Sequence, residues 1–352
     1  MRTLIIPINP EVPEPELIGR CAKMLRDGAL VAFPTETVYG LGASLRNQRA
    51  MERLIKVKRR REGKPFSIHI ADKNKIDEFA INLKPAVYKI IDKFWPGPLT
   101  VIVQAKDGGT VGIRMPKNNI ALKLLDTAGV PVVAPSANLA GNHPPKDVEE
   151  VMRDMNGLIE AVIDGGKVEL GVESSIVDLT VEPPQVLRKG AVKEEDIFSE
   201  ARKKTVLFVC TGNSCRSVMA EFLLKKIMAN RPDIEVLGAG ISANTGMSPT
   251  AETLELLQRE GIDAASHTAR RLSEIVAKKA DIILVMEKLQ EDWIKKRVPS
   301  AVERLFRLKE FAKMAEAGED TQIYDPVSRP MWFYEETFKI IKEAVKRVAE
   351  LI

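Results

Sequence analysis

One stretch constrains this chain more than any other: Val206-Leu207-Phe208-Val209-Cys210-Thr211-Gly212-Asn213-Ser214-Cys215-Arg216-Ser217. Its leading apolar residues read as a short buried strand. A small polar loop follows, and Val218 to Met228 has helical periodicity. Cys210 therefore stands at a strand end and Arg216 near a helix start. Gly212 is expected to supply an unusual backbone angle. The loop amides and the helix N-terminus can converge on one anion. The same field favours a thiolate at Cys210. Arg216 offers a planar fork of donors to phosphate oxygens. A chain that places a cysteine this way needs strand, loop and helix in succession, so an α/β fold is expected here.

The chain has 352 residues, 45% hydrophobic and 29% charged. That is more than one domain usually holds. No run of apolar residues is long enough to span a bilayer, so no membrane segment is expected. The start, MRTLIIPINP, does not read as a secretion signal. Cys21, Cys210 and Cys215 do not make a disulfide framework, and a reducing, cytoplasmic home is expected. The net charge of +4 suits phosphate-bearing ligands and does not by itself call for nucleic acid.

The first half alternates strands and helices. Ile5 to Pro7, Leu30 to Phe33, Leu99 to Val103 and Val111 to Arg114 read as extended. Pro15 to Arg26, Ala50 to Lys58 and Pro85 to Phe94 read as helices. Ser, Thr, Asn or Arg stands at several strand ends: Thr37, Arg114, Ser136 with Asn138, Ser174 and Arg188. Such groups suit carboxylate, ribose and phosphate recognition. Lys56 to Arg61 is a basic run that reads either as a solvated helix end or as a polyphosphate site. His69 is either a core histidine or a ligand-binding one, and no metal-ligand spacing accompanies it. Neither a dinucleotide-binding glycine pattern nor a Walker-type loop is present. Pattern alone leads to a polar cleft in a mixed α/β domain.

Residues 1–195 resemble the YrdC/Sua5-like family of L-threonylcarbamoyladenylate synthases. The matching blocks are Pro34-Thr35-Glu36-Thr37-Val38-Tyr39-Gly40-Leu41-Gly42, Lys58 with Arg60, Trp95-Pro96-Gly97-Pro98-Leu99-Thr100, Arg114, Ala134-Pro135-Ser136-Ala137-Asn138 and Glu173-Ser174-Ser175-Ile176-Val177-Asp178. Arg61 stands where the family often has proline, and Ala140 where serine is common. The resemblance implies a twisted open α/β fold with a basic concave cleft. It implies ATP, L-threonine and bicarbonate as substrates, and threonylcarbamoyl-AMP and pyrophosphate as products. Mg²⁺ would accompany ATP with no direct side-chain ligation. The product would pass to a separate transferase protein that modifies tRNA, with no stable nucleic-acid binding required of this chain. Lys58, Arg60, Ser136 and Asn138 are the nucleotide and phosphate candidates. Thr37, His69, Arg114 and Ser174 would hold the threonylcarbamoyl part or an adjacent phosphate, and Arg188 would close the nucleotide side.

Residues 196–202 have little apolar periodicity and read as a linker. Cysteine, five residues, arginine and serine form the signature of cysteine-dependent phosphatases, and residues 203–352 resemble the low-molecular-weight protein phosphatases. A doubly wound parallel sheet is implied, with no cofactor. Strands are expected at Glu235 to Gly240, Ala280 to Met286 and Phe306 to Phe311, and a long helix over Glu335 to Leu351. The resemblance implies that Cys210 attacks phosphorus, that Arg216 holds the equatorial oxygens and that Asp325, before Pro326, is the general acid. Thr211, Gly212, Asn213, Ser214, Cys215 and Ser217 would support the loop. Cys215 is either the redox partner of Cys210 or a packing residue beneath the loop. Substrates would be phosphoproteins carrying phosphotyrosine or phosphoarginine. The alternative readings are an active phosphatase fused to a non-catalytic nucleotide- or RNA-binding module, or an arsenate-reductase-like second domain.

Overall fold

Short apolar runs punctuated by glycine, proline and polar turns assemble into two sheets, one in each of two units, Met1–Ala201 and Arg202–Ile352. The computed structural model describes residues 2–59, 66–315 and 319–352. The strands of the first unit are β1 (Leu4–Pro7), β2 (Val31–Phe33), β3 (Gly40–Ser44), β4 (Ile68–His69), β5 (Leu99–Gln104), β6 (Thr110–Arg114), β7 (Val132–Val133), β8 (Ala161–Asp164), β9 (Ser175–Asp178) and β10 (Gln185–Arg188). They lie in the order β1-β8-β2-β3-β7-β4-β6-β5-β9-β10. Parallel pairs such as β4 with β6 occur beside antiparallel pairs such as β3 with β7. The sheet is thus mixed.

The helix Pro15–Arg26 starts on a proline, whose fixed φ suits the first turn, and buries Ile18, Cys21, Ala22 and Leu25 on one face. Those residues share a core cluster with Ile120, Ala121, Leu124 and Leu125 of the helix Asn119–Ala128 and with Val31, Phe33 and Ile163 from the strands. Two polar loops are tied together above this core. Leu41 N donates to Pro135 O at 2.6 Å and Ala137 N to Tyr39 O at 2.8 Å. The register sets His69 beside Arg114 and Val132.

The second unit contains β11 (Lys204–Cys210), β12 (Ile234–Gly240), β13 (Ile282–Val285) and β14 (Leu305–Arg307). They lie in the order β12-β11-β13-β14, all parallel. Alternation along β11 sends its side chains to two cores. Val206, Phe208 and Cys210 join one, with residues of the helices Arg216–Ile227, Ala251–Arg259 and Met331–Leu351. Leu207 and Val209 join the other, with Ala277 and Ile294 from the helices Glu274–Lys279 and Lys288–Arg297. Helices on both faces make this the doubly wound sheet.

Residues 196–202, expected as a linker, lie within the helix Glu194–Arg202. Glu194, Glu195 and Asp196 occupy its first turn, where the helix dipole favours carboxylates, and Ile197 and Glu200 are buried at helical spacing. The strand expected over 306–311 ends at Arg307, and Leu308–Phe311 is a helical turn with Leu308 in the core. Among the described residues no helix is long and apolar enough to cross a membrane.

Candidate functional sites

The parallel arrangement of the second unit puts Cys210 at the C-terminal end of the inner strand β11, where loops can close over it. The loop from Thr211 turns at once into the helix Arg216–Ile227. Asn213, not Gly212, takes the left-handed conformation, with φ 52°. Asparagine tolerates that region because its short polar side chain bonds locally. Here Asn213 Nδ2 donates to Ser217 Oγ at 2.9 Å, and Asn213 Oδ1 accepts from Arg270 N at 2.8 Å. The loop closes on the sulfur: Asn213 N lies 3.2 Å and Ser217 Oγ 3.0 Å from Cys210 Sγ. His267 Nε2 stands 3.2 Å from Asn213 O and braces the turn from outside. The signal for a glycine at position 240 is also visible. A Cβ there would meet Thr211 O at 2.6 Å, so only glycine lets β12 approach the loop.

Arg216 is fully buried. Its Nη1 donates to Glu287 Oε2 at 2.6 Å and to Ile323 O at 2.8 Å, and its Nη2 donates to Asp325 Oδ2. Its Nε has no partner. Burial alone would weaken the guanidinium's hold on its proton, but the charges of Cys210, Asp325 and Glu287 push its pKa up. A buried cation with an orphaned donor beside a polar loop can seat an oxyanion. Asp325 reaches this seat from more than a hundred residues away. Sequence reasoning missed Glu287 and Gln290. Gln290 Oε1 accepts from Glu287 N at 2.6 Å, and its Nε2 donates to Thr211 Oγ1 at 3.1 Å. Their three-residue spacing at a helix start resembles a capping box and was the available signal. Cys21, Cys210 and Cys215 are all free of disulfides.

In the first unit Lys58, His69, Arg114, Ser136, Asn138, Ser174 and Arg188 line one cavity of about 540 Å³. Lys58 Nζ donates to Ser136 O at 2.6 Å and to Asn138 Oδ1 at 3.0 Å. Ser136 Oγ donates to the same Oδ1 at 2.6 Å. The lysine thus ties a helix end to the loop after β7. Arg114 Nη2 donates to Thr37 Oγ1 at 2.8 Å. It also contacts Glu36 Oε1 at 2.8 Å, a charge contact without hydrogen-bond alignment. Thr37 is fully buried behind Arg114 and is not part of the cavity wall. Arg188 donates through Nη1 to Glu173 Oε1 at 2.5 Å and through Nη2 to Ser174 Oγ at 3.0 Å. Ser174 Oγ lies 3.0 Å from Thr100 Oγ1. Arg60 lies outside the described residues.

The electrostatics of this cavity are mixed. Burial, and then the neighbouring Arg114, push the pKa of His69 down to about 3, so its imidazole is neutral at ordinary pH. Its Nδ1 faces Ser67 O at 3.4 Å. Burial, reinforced by Arg114 and opposed by Glu173, lowers the pKa of Arg188. Glu36, Thr100 and Glu173 received no role from sequence, although each stands within a block that carries the family resemblance. Pairing was the missing information, since the sheet brings Glu36 to Arg114 from far along the chain and the pairing of β9 with β10 brings Glu173 to Arg188. Among the described residues no group of three or more His, Cys, Asp or Glu side chains is placed to hold a metal ion.

Two family models match the chain in succession. The Sua5/YciO/YrdC model, described as telomere recombination, covers residues 23–190. The low molecular weight phosphotyrosine protein phosphatase model covers residues 205–352. A threonylcarbamoyl-AMP synthase from Pyrococcus abyssi is 40% identical over 204 residues, 55% of this chain and 60% of that protein. A relative from Methanocaldococcus jannaschii is 34% identical over 177 residues, 48% of this chain and 84% of its own length. The solved structure of P. abyssi Sua5 complexed with L-threonine aligns with a TM-score of 0.55 at 27% identity, over 87% of this chain and 99% of that one. The chain spans between half and two thirds of the length of the first curated relatives it matches.

Proposed function

From a chain that belongs to the Sua5/YciO/YrdC family in its first unit and carries a low molecular weight phosphotyrosine protein phosphatase domain as its second, we propose two phosphorus chemistries, one in each unit. The first is synthesis of threonylcarbamoyl-AMP and pyrophosphate from ATP, L-threonine and bicarbonate. Threonine's amine captures bicarbonate as a carbamate, which must attack the α-phosphorus before it decomposes. A walled cavity that gathers the reactants lowers that barrier by proximity and by excluding water. Lys58, with the Ser136 and Asn138 loop, takes the phosphate side. Arg114 faces a carboxylate or carbamate, and neutral His69 acts as a dipolar partner rather than a charge. Arg188 exchanges Glu173 for a ligand oxygen. Mg²⁺ would arrive with the nucleotide and would supply charge neutralisation, with the Ser136 hydroxyl and the Glu173 carboxylate as the hard oxygen groups on the wall that would face its water shell without direct ligation. The product would supply a separate protein that transfers the threonylcarbamoyl group to tRNA. The observation that carries this reading is the convergence of sequence-distant Lys58, Arg114, Ser136, Asn138 and Arg188 on one cavity.

The second chemistry is hydrolysis of a phosphoprotein, phosphotyrosine or phosphoarginine, through a thiophosphate on Cys210. The thiolate forms the S–P bond as the P–O or P–N bond breaks, and Asp325 gives its proton to the leaving group. Water then attacks phosphorus, the S–P bond breaks, and Asp325 recovers a proton. Loop amides and the Arg216 fork hold the equatorial oxygens. The orphaned, fully buried Nε of Arg216 is the observation that carries this reading. Hydrolysis of 4-nitrophenyl phosphate that disappears in Cys210→Ser tests it. A panel of phosphotyrosine and phosphoarginine peptides then separates the substrates.

A further inference from the structure

The two oxygens of Asp325 are held unequally. Oδ2 takes the Arg216 Nη2 donor. Oδ1 takes the Val327 amide at 3.2 Å and the Cys215 thiol at 3.7 Å. Sulfur is large and a weak donor, so 3.7 Å lies within the range of an S–H bond to a carboxylate. Cys215 is only 2% exposed. Burial first, then the charges of Cys210 and Asp325, push its pKa far up, so the group is a thiol and a donor. The chain at this point leaves the loop and enters the helix Arg216–Ile227. The sulfur therefore sits on a rigid element rather than on a mobile tip.

A phosphate arriving at the loop needs the Nε and Nη2 edge of Arg216. Nε is unpartnered, but Nη2 is committed to Asp325. Once phosphate takes that edge, Oδ2 loses its donor, while Oδ1 keeps both of its own. We infer that Cys215 is a positioning residue: its S–H, with the Val327 amide, anchors Oδ1 of Asp325 so that Oδ2 carries the proton to the leaving group. This rests on the phosphatase reading of the second unit. The proton leaves Oδ2 as the P–O or P–N bond breaks, and the electron pair of that bond receives it. Cys215 neither bonds to substrate nor changes its own protonation. The geometry gives this cysteine a task in the first chemical step whatever its redox chemistry.

The test compares the full chain with Cys215→Ala and Cys215→Ser, using phenyl phosphate and 2,4-dinitrophenyl phosphate. A basic leaving group needs the acid, whereas an activated one does not. The expected result for Cys215→Ala is a fall of about tenfold in kcat/KM for phenyl phosphate with little change for the dinitrophenyl ester. Cys215→Ser should recover most of that loss, because a hydroxyl also donates. Equal losses on both esters, or a serine variant no better than alanine, would overturn the anchor. A second measurement needs no turnover. In a Cys210→Ser chain, adding Asp325→Ala should move one S–H stretching band to higher frequency, and bands that stay fixed would overturn the anchor as well. The two ideas fail differently: a wild-type chain inert on every aryl phosphate and on phosphoarginine peptides removes the phosphatase reading, while S–H bands indifferent to Asp325 remove the role of Cys215.

Discussion

On the proposed reading the two units face one problem, holding phosphate oxygens near strand ends, and they assemble their answers differently. In the second unit, consecutive residues from Cys210 to Ser217 supply the sulfur, the amides and the guanidinium. In the first unit the cations come from a helix end and two strand ends, at Lys58, Arg114 and Arg188. Their counter-charges differ as well. Arg114 lies against Glu36 with both side chains nearly inaccessible, at 6% and 2% exposure. Arg188 and Glu173 are more open, at 36% and 38%. A ligand anion can displace the second pair far more easily than the first, because a buried carboxylate left without its cation is costly. Arg216, by contrast, holds two carboxylates and keeps one donor open. The contrast fits the proposed chemistries: a site that makes a covalent bond fixes a nucleophile in a short rigid loop, and a site that gathers three reactants needs room and spread-out contacts.

Variants can break or sharpen this contrast. The largest effect expected is from Cys210→Ser, which should reduce aryl phosphate hydrolysis by at least about a thousandfold and leave nucleotide chemistry unchanged. Lys58→Ala should do the reverse. Losing the bonds to Ser136 O and Asn138 Oδ1 frees the loop after β7, and threonylcarbamoyl-AMP formation should fall about a hundredfold with hydrolysis intact. A change that removes both activities would end the claim of independent sites. Gly240→Ala should reduce hydrolysis by roughly ten- to a hundredfold without touching the first unit, because its Cβ would collide with Thr211 O. Wild-type turnover in that variant would show that the loop can shift freely.

A smaller, pH-dependent effect is expected from His69. Its folded-state pKa is lowered to about 3, below the ordinary value of 6.5. Between those values the unfolded chain binds a proton that the folded chain does not. Stability from this group is therefore full above pH 6.5 and is lost as pH falls toward about 3. Thermal unfolding of the wild type should decline through that window, and His69→Gln should decline less. Parallel curves for the two proteins would show that His69 is not the responsible group.

Legibility in the sequence followed the same contrast. The phosphate loop was readable because contiguous residues carry both its local structure and its chemistry. Even so, the left-handed turn fell on Asn213 rather than Gly212, since side-chain bonds to Ser217 and Arg270 stabilise it there. The helical nature of 196–202 was hidden because only Ile197 and Glu200 face inward. In the first unit, single residues at strand ends were readable as polar, but periodicity could not say which would meet. That depends on a mixed strand order in which β4 lies between β7 and β6. The glutamates that balance Arg114 and Arg188, and the Glu287 that balances Arg216, become visible only once the strands are paired.

On the proposed reading the first unit is an active site and not only a pocket. The most direct measurement is product formation by the purified full chain with ATP, Mg²⁺, L-threonine and bicarbonate, run beside its Cys210→Ser form. Threonylcarbamoyl-AMP and pyrophosphate are expected from both proteins at equal rates, dependent on threonine and bicarbonate, with aryl phosphate hydrolysis lost only in the variant. A folded wild-type chain that hydrolyses aryl phosphate but forms no adenylate would contradict that reading and leave the first unit a binding module.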